Sequence, residues 1–102
     1  MRLIALFNLK PGVAVAEYEA WARSTDLPTV NRLASISSFR VFKTTGLLGA
    51  AGPAPYAYVE TIDIKDMDGF WNDVGSQVMQ EIAAAFSGMA DVTFMTTEEI
   101  EA

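Results

Sequence analysis

Arg2 to Leu9 is an apolar run of strand length that ends at the breakers Pro11 and Gly12. From Ala14 to Arg23 the pattern changes: Ala14, Tyr18, Trp21 and Ala22 recur at helical spacing, and Glu17, Glu19 and Arg23 fall outside the stripe. Asp26 then stands where a cap is expected, before Leu27 and Pro28, because proline suits a first helical turn whose N–H has no partner anyway. Ser37 to Thr45 alternates as a strand, with Phe39 and Val41 on one face and Arg40 and Phe42 on the other. A Gly-Pro loop follows. Tyr56 to Ile64 predicts a third strand, with Tyr56, Tyr58, Glu60 and Ile62 on one side and Ala57, Val59 and Thr61 on the other. Asp66 offers a second cap, before a helical stripe of Phe70, Trp71 and Val74. Gly75 and Ser76 interrupt that stripe, which resumes through Val78, Met79, Ile82, Ala85, Phe86 and Met89, with Gly88 as its expected stop. Asp91 to Thr97 makes a last strand, and an acidic tail begins at Glu98.

The order strand, helix, strand, strand, helix, strand is the split pattern of α+β ferredoxin-like domains, a βαββαβ sandwich occupying residues 1–102 as one domain. Two crossover helices cover one face of a four-stranded sheet. The first strand, however, is apolar on both faces through Leu3, Ile4, Ala5, Leu6 and Phe7. The second face therefore calls for another copy, sheet against sheet, in a homodimeric α+β barrel with an apolar interior cavity. Function is expected in that cavity or at its mouth.

Composition narrows the chemistry. Leu, Ile, Val and Phe supply 27 of 102 residues, enough for a folded core. With no Cys and no His there is no thiolate nucleophile, no disulfide, no imidazole base and no common haem ligand. Acids and bases are left to Asp, Glu, Tyr and Lys, and a metal would need an oxygen cage, which the sequence does not display. The net charge of −6 argues against a nucleic-acid partner. Residues 1–59 carry 6 basic and 3 acidic groups, whereas 60–102 carry 1 and 10; the acidic half reads as a solvated surface, with complementarity between two copies as the alternative. No segment reads as a signal peptide. The longest uncharged stretch, Thr44 to Val59, is too rich in Gly and Pro to span a membrane, so a cytoplasmic location is expected.

Several short stretches, Leu9-Lys10-Pro11-Gly12, Tyr18 with Trp21, Thr25-Asp26-Leu27-Pro28, Ser38-Phe39-Arg40-Val41, Thr44-Thr45-Gly46-Leu47-Leu48-Gly49 and Tyr58-Val59-Glu60, together resemble the RedY-like (HapK) family from Leu3 to about Glu99. The resemblance implies a dimeric α+β barrel associated with bacterial secondary metabolism, including prodiginine pigments and bisindoles. It also implies action without a cofactor on reactive pyrrole or indole intermediates. Relatives in the wider barrel superfamily often place His-x-Pro after the first helix, and here that slot holds Asp26-Leu27-Pro28. A carboxylate replaces the imidazole and can do similar work only if burial raises its pKa.

Asp26 is accordingly the expected acid or base, or else only a helix cap. Arg40 and Tyr58 are expected to orient a polar ring, with Glu60 beside them. The alternative is an internal Arg40–Glu60 ion pair. Asn8, at the end of the first strand, points into the cavity or serves turn chemistry. Trp21 and Trp71, with Tyr18 and Phe70, stack on a planar ligand or pack the core. The loop with Gly46, Gly49 and Gly52 is a flap over the cavity or simply a connection. The activity expected is proton transfer that directs cyclisation or rearrangement of a small aromatic or pyrrolic intermediate. A cofactor-independent monooxygenase and a non-catalytic ligand carrier stay open beside it.

Overall fold

The alternation of apolar residues along the first strand decides how the sheet is dressed. In the computed structural model, which describes residues 1–102, β1 (Arg2–Leu9) buries Leu3, Ala5 and Phe7 beneath the helices. Ile4 and Leu6 turn to the opposite face. The chain continues as α1 (Val15–Trp21), a π-helical turn (Ala22–Asp26) and α2 (Leu27–Asn31), then β2 (Ile36–Lys43) and β3 (Tyr58–Ile64). The elements α3 (Met67–Val74), α4 (Gln77–Met89) and β4 (Ala90–Thr96) complete it. The sheet is antiparallel throughout, in the order β2-β3-β1-β4. This is the α+β ferredoxin-like architecture expected from the element order.

Two apolar clusters lie between sheet and helices. One gathers Leu3, Val30, Ile36, Phe39, Ile62 and Ile64; the other is aromatic and centres on Phe7. Phe7 stacks on Tyr58, its direct partner across the ladder, with ring centroids 5.3 Å apart, and meets Tyr18 and Phe86 edge-on at 5.6 and 5.0 Å. The other face of the sheet carries Ile4, Leu6, Val59 and Thr61 on the inner strands, with Phe42, 48% exposed, beside Arg40 on the β2 edge and Met95, 43% exposed, beside Thr93 on the β4 edge. No helix of the chain is long and apolar enough to cross a membrane.

Local differences from the sequence pattern have physical causes. Asp26 does not cap α2; its backbone is helical and its side chain accepts no capping hydrogen bond. The helix instead runs on by widening, with the Leu27 N–H bonded to the Ala22 carbonyl five residues back. Pro28 lacks an N–H, and its ring crowds the carbonyl four residues earlier, so one extra residue in the preceding turn relieves the clash without ending the helix. Asp66 occupies the N-cap position of α3, but its side chain makes no capping bond. Ser76 does cap α4, accepting from the Met79 N–H at 3.4 Å. Gly88 does not stop α4, which continues to Met89. β1 has the expected bounds, whereas β2 and β4 start one residue earlier and β3 two residues later than expected, and Glu98 to Ala102 adopt no regular structure.

Asn31 anchors the edge strand β2 at its bulge between Ile36 and Ser38. Its amide donates to the Phe39 carbonyl at 3.0 Å and accepts from the Phe39 N–H at 2.9 Å, which holds the Phe39 ring against the helical layer. Gly46, Gly49 and Gly52 in the β2–β3 loop adopt positive φ angles that other residues rarely reach.

Candidate active site

The strands and helices leave a gap where α2, α3 and α4 lean over the sheet. The resulting cavity, about 550 Å³, lies within one protomer between the sheet and its own helices. An apolar cavity is thus present within a single subunit. Its volume is that of a small-ligand site. Of 18 lining residues, 14 are hydrophobic, and the four others are Asp26, Glu60, Ser87 and Thr96. Phe39, Ile62, Val92 and Phe94 form the floor on the sheet. Phe70, Trp71, Met79 and Phe86 form the roof. Trp71, 66% exposed, marks where the cavity meets solvent.

The two carboxyl groups reach this space by different routes. The π turn rotates Asp26 inward, where the residue is only 4% exposed. Glu60 arrives on β3 by the period of two, between Tyr58 and Ile62 on the buried face, and is 2% exposed. Burial pushes the Asp26 carboxyl up to about 7. Burial first, and then the negative charge of Asp26, pushes Glu60 up to about 8. No Lys or Arg and no protein hydrogen bond offsets either shift. The two groups are near enough to feel each other's charge, and together they hold a proton at neutral pH. Near them the Tyr18 hydroxyl is fully buried and has no hydrogen-bond partner; burial and then the charges of Glu60 and Asp26 hold its proton on firmly.

The remaining residues singled out in the sequence lie elsewhere. Tyr58 shares the buried face with Glu60, but its hydroxyl donates to Glu19 Oε2 at 2.8 Å and does not line the cavity. Burial, and then that bond, raises its pKa to about 12. Glu19 in turn meets Lys43 at 2.9 Å and Arg23 at 3.3 Å, so Tyr58 belongs to a network at the end of the aromatic cluster. Arg40 is exposed on the opposite face of the sheet, across from Thr61, and forms no ion pair with Glu60. Asn8 donates to the Pro55 carbonyl at 3.2 Å and accepts from the Ala57 N–H at 2.8 Å, pinning the loop and not facing the cavity. Trp21 stacks on Phe86 at 6.1 Å within the aromatic cluster. No residue from 44 to 57 lines the cavity, so the glycine-bearing loop is not its cover. The structure thus brings together Asp26, Glu60, Phe70 and Trp71, and leaves Asn8, Trp21, Arg40 and Tyr58 outside.

No three His, Cys, Asp or Glu side chains stand together in a way that would hold a metal ion. The arrangement offers one chemical capability of its own: an acid–base pair able to give or take a proton inside an apolar chamber.

The profile of the REDY-like protein HapK family matches residues 1–100. The chain belongs to the REDY-like HapK family. HapK from Hahella chejuensis has the same fold at a TM-score of 0.77 and 28% identity, the match covering 100% of this chain and 95% of that one. A dimeric ferredoxin-like protein of unknown function from Thermobifida fusca matches at a TM-score of 0.67 and 17% identity over 94% and 89% of the two chains. SnoaB, a cofactor-independent oxygenase from Streptomyces nogalater, matches at a TM-score of 0.68 and 16% identity over 97% and 93%. These last two likenesses concern the fold. No curated protein sequence matches the chain.

Proposed function

We propose that this HapK-family protein handles a small aromatic or pyrrolic intermediate of secondary metabolism, and that Asp26 moves a proton to or from the ring to direct its cyclisation or rearrangement. One observation carries this reading: a carboxyl group that caps nothing, pairs with nothing and faces an apolar cavity of ligand size. A carboxyl held near neutrality is matched to both halves of such a transfer. Protonating a pyrrole or indole at carbon creates a ring cation, with the electron pair of a ring double bond forming the new C–H bond and Asp26 left ionised. Loss of a proton from the same carbon returns the ring with its hydrogen exchanged; loss from the ring nitrogen or another carbon completes a tautomerisation, and attack on the cation by a tethered nucleophile, whose proton returns to Asp26, completes a ring closure. Glu60, whose pKa is raised by burial and then by the charge of Asp26, is the neighbouring group with which the proton is shared.

The protein is proposed to act as a homodimer joined through the open sheet face, where Phe42 and Met95 are exposed beside Ile4 and Leu6. The dimeric state of the Thermobifida fusca relative supports that reading.

Isotope exchange tests the function without knowledge of the natural substrate. In D₂O near neutral pD, the protein is expected to accelerate deuterium incorporation at C3 of indole, or at a free ring carbon of 2,4-dimethylpyrrole, above the buffer rate, as followed by NMR. Oxygen uptake with these probes, and no exchange, would move the assignment to the monooxygenase class. Binding with neither exchange nor oxygen uptake would leave a carrier.

A further inference from the structure

The cavity contains two acidic groups and no cation to balance them. Its lining includes two carboxyl groups, both almost fully buried, and no Lys or Arg. The seven cationic side chains of the protein are accounted for elsewhere. Arg2 pairs with Asp63, Lys10 with Asp91, and Arg23 and Lys43 both with Glu19; Arg32, Arg40 and Lys65 are exposed. The one other polar group buried close by, the Tyr18 hydroxyl, makes no hydrogen bond to either acid. An ionised carboxylate in apolar surroundings is unfavourable unless a partner arrives. The rest of the wall is aromatic and aliphatic, with Phe39, Phe70, Trp71, Phe86 and Phe94 presenting rings to the interior. Ring faces attract cations.

We infer that the cavity selects planar ligands bearing a positively charged, N–H-carrying nitrogen set against Asp26 and Glu60, and rejects anionic ligands of the same shape. The charge and the hydrogen-bond donor that the protein withholds from the two acids come from the ligand. The inference rests on the cavity being the ligand site, as proposed above, and deepens it: the pair that protonates a neutral ring also favours the ring cation that results. A neutral planar ligand is tolerated by the apolar walls. A carboxylate or phenolate places like charge beside the pair and binds worst.

Three probes of nearly equal shape separate the cases: 4-aminoquinoline, which is cationic at neutral pH, 1-naphthylamine, which is neutral, and 1-naphthoate, which is anionic. Affinities measured by titration calorimetry at one ionic strength are expected to fall in that order, with steps of about tenfold or more. In the variant Asp26→Asn/Glu60→Gln the order is expected to collapse, while 1-naphthylamine still binds within about threefold of wild type, showing an intact cavity. The single variant Glu60→Gln is expected to fall between. Equal affinity for the three probes in the wild-type protein, or a cation preference that survives the double variant, overturns the inference. If the preference is absent while deuterium exchange into indole persists, the proton-transfer reading stands and this inference alone fails. If none of the three probes binds, both fail.

Discussion

Asp26→Asn is expected to lower protein-catalysed deuterium exchange into indole by about 10²- to 10⁴-fold, the usual worth of a positioned general acid or base. Asparagine keeps the size and polarity of the side chain, so the cavity and the π turn should survive. What is removed is the titratable proton. Affinity for a neutral planar probe is therefore expected to stay within about threefold of wild type, and the loss appears in rate and not in binding. The wild-type rate should also bend near the pH at which Asp26 titrates, about 7, and the variant should lose that bend. An Asp26→Asn protein that exchanges as fast as wild type would show that the carboxyl is a bystander, and the carrier reading would then take precedence.

The second large effect concerns stability. In the unfolded chain Asp26 and Glu60 ionise near their ordinary values of about 3.9 and 4.3. In the native protein burial holds them protonated to about 7 and about 8. Between these limits the native state binds more protons than the unfolded state, so stability is fully present below about pH 4 and is lost as pH rises through the native values. The loss from pH 4.5 to pH 8.5 is expected to reach at most about 8 kcal/mol, comparable to the total stability of a domain this size. It should be read as a fall in melting temperature of more than about 10 °C by circular dichroism. Glu19 and Asp63 act in the opposite sense. Lys43 and then Tyr58 hold Glu19 below its usual range, and Arg2 holds Asp63 below its own, so these groups contribute above about pH 4. Both lie at the surface, and their effect is small. The optimum should fall in mildly acidic solution, and Asp26→Asn/Glu60→Gln should flatten the profile and raise stability at pH 8. A melting temperature that climbs steadily from pH 5 to pH 8 would contradict the burial of the pair.

Much of the architecture was legible because it rests on periodicity. The two-residue period of β3 put Tyr58, Glu60 and Ile62 on one face, and the helical stripe from Val78 to Met89 marked α4, although Ser76, read there only as an interruption, is its cap. The presence of Asp26 in the slot after the first helix was also readable. Its mode of placement was not, since a π turn ahead of proline has no period of its own, and Asp-Leu-Pro reads equally as a cap. Register was the other missing quantity. Residues directly opposite in a ladder share a face, and here Val41 stands across from Glu60, whereas Arg40 stands across from Thr61. A single-residue difference in register therefore separates an Arg40–Glu60 pair from two groups on opposite sides of the sheet. With β1 apolar on both faces, the sequence pattern could not say which face the helices would cover, and so could not place the cavity.

The cavity beneath the helices is the proposed ligand site, with Asp26 and Glu60 at its polar end. A crystal structure of the protein soaked with indole tests this most directly. The expected result is the indole ring between Phe39 and the α3–α4 roof, its N–H within hydrogen-bond distance of Asp26 or Glu60. Indole seated only on the open sheet face beside Phe42, with the cavity filled by water, would contradict it.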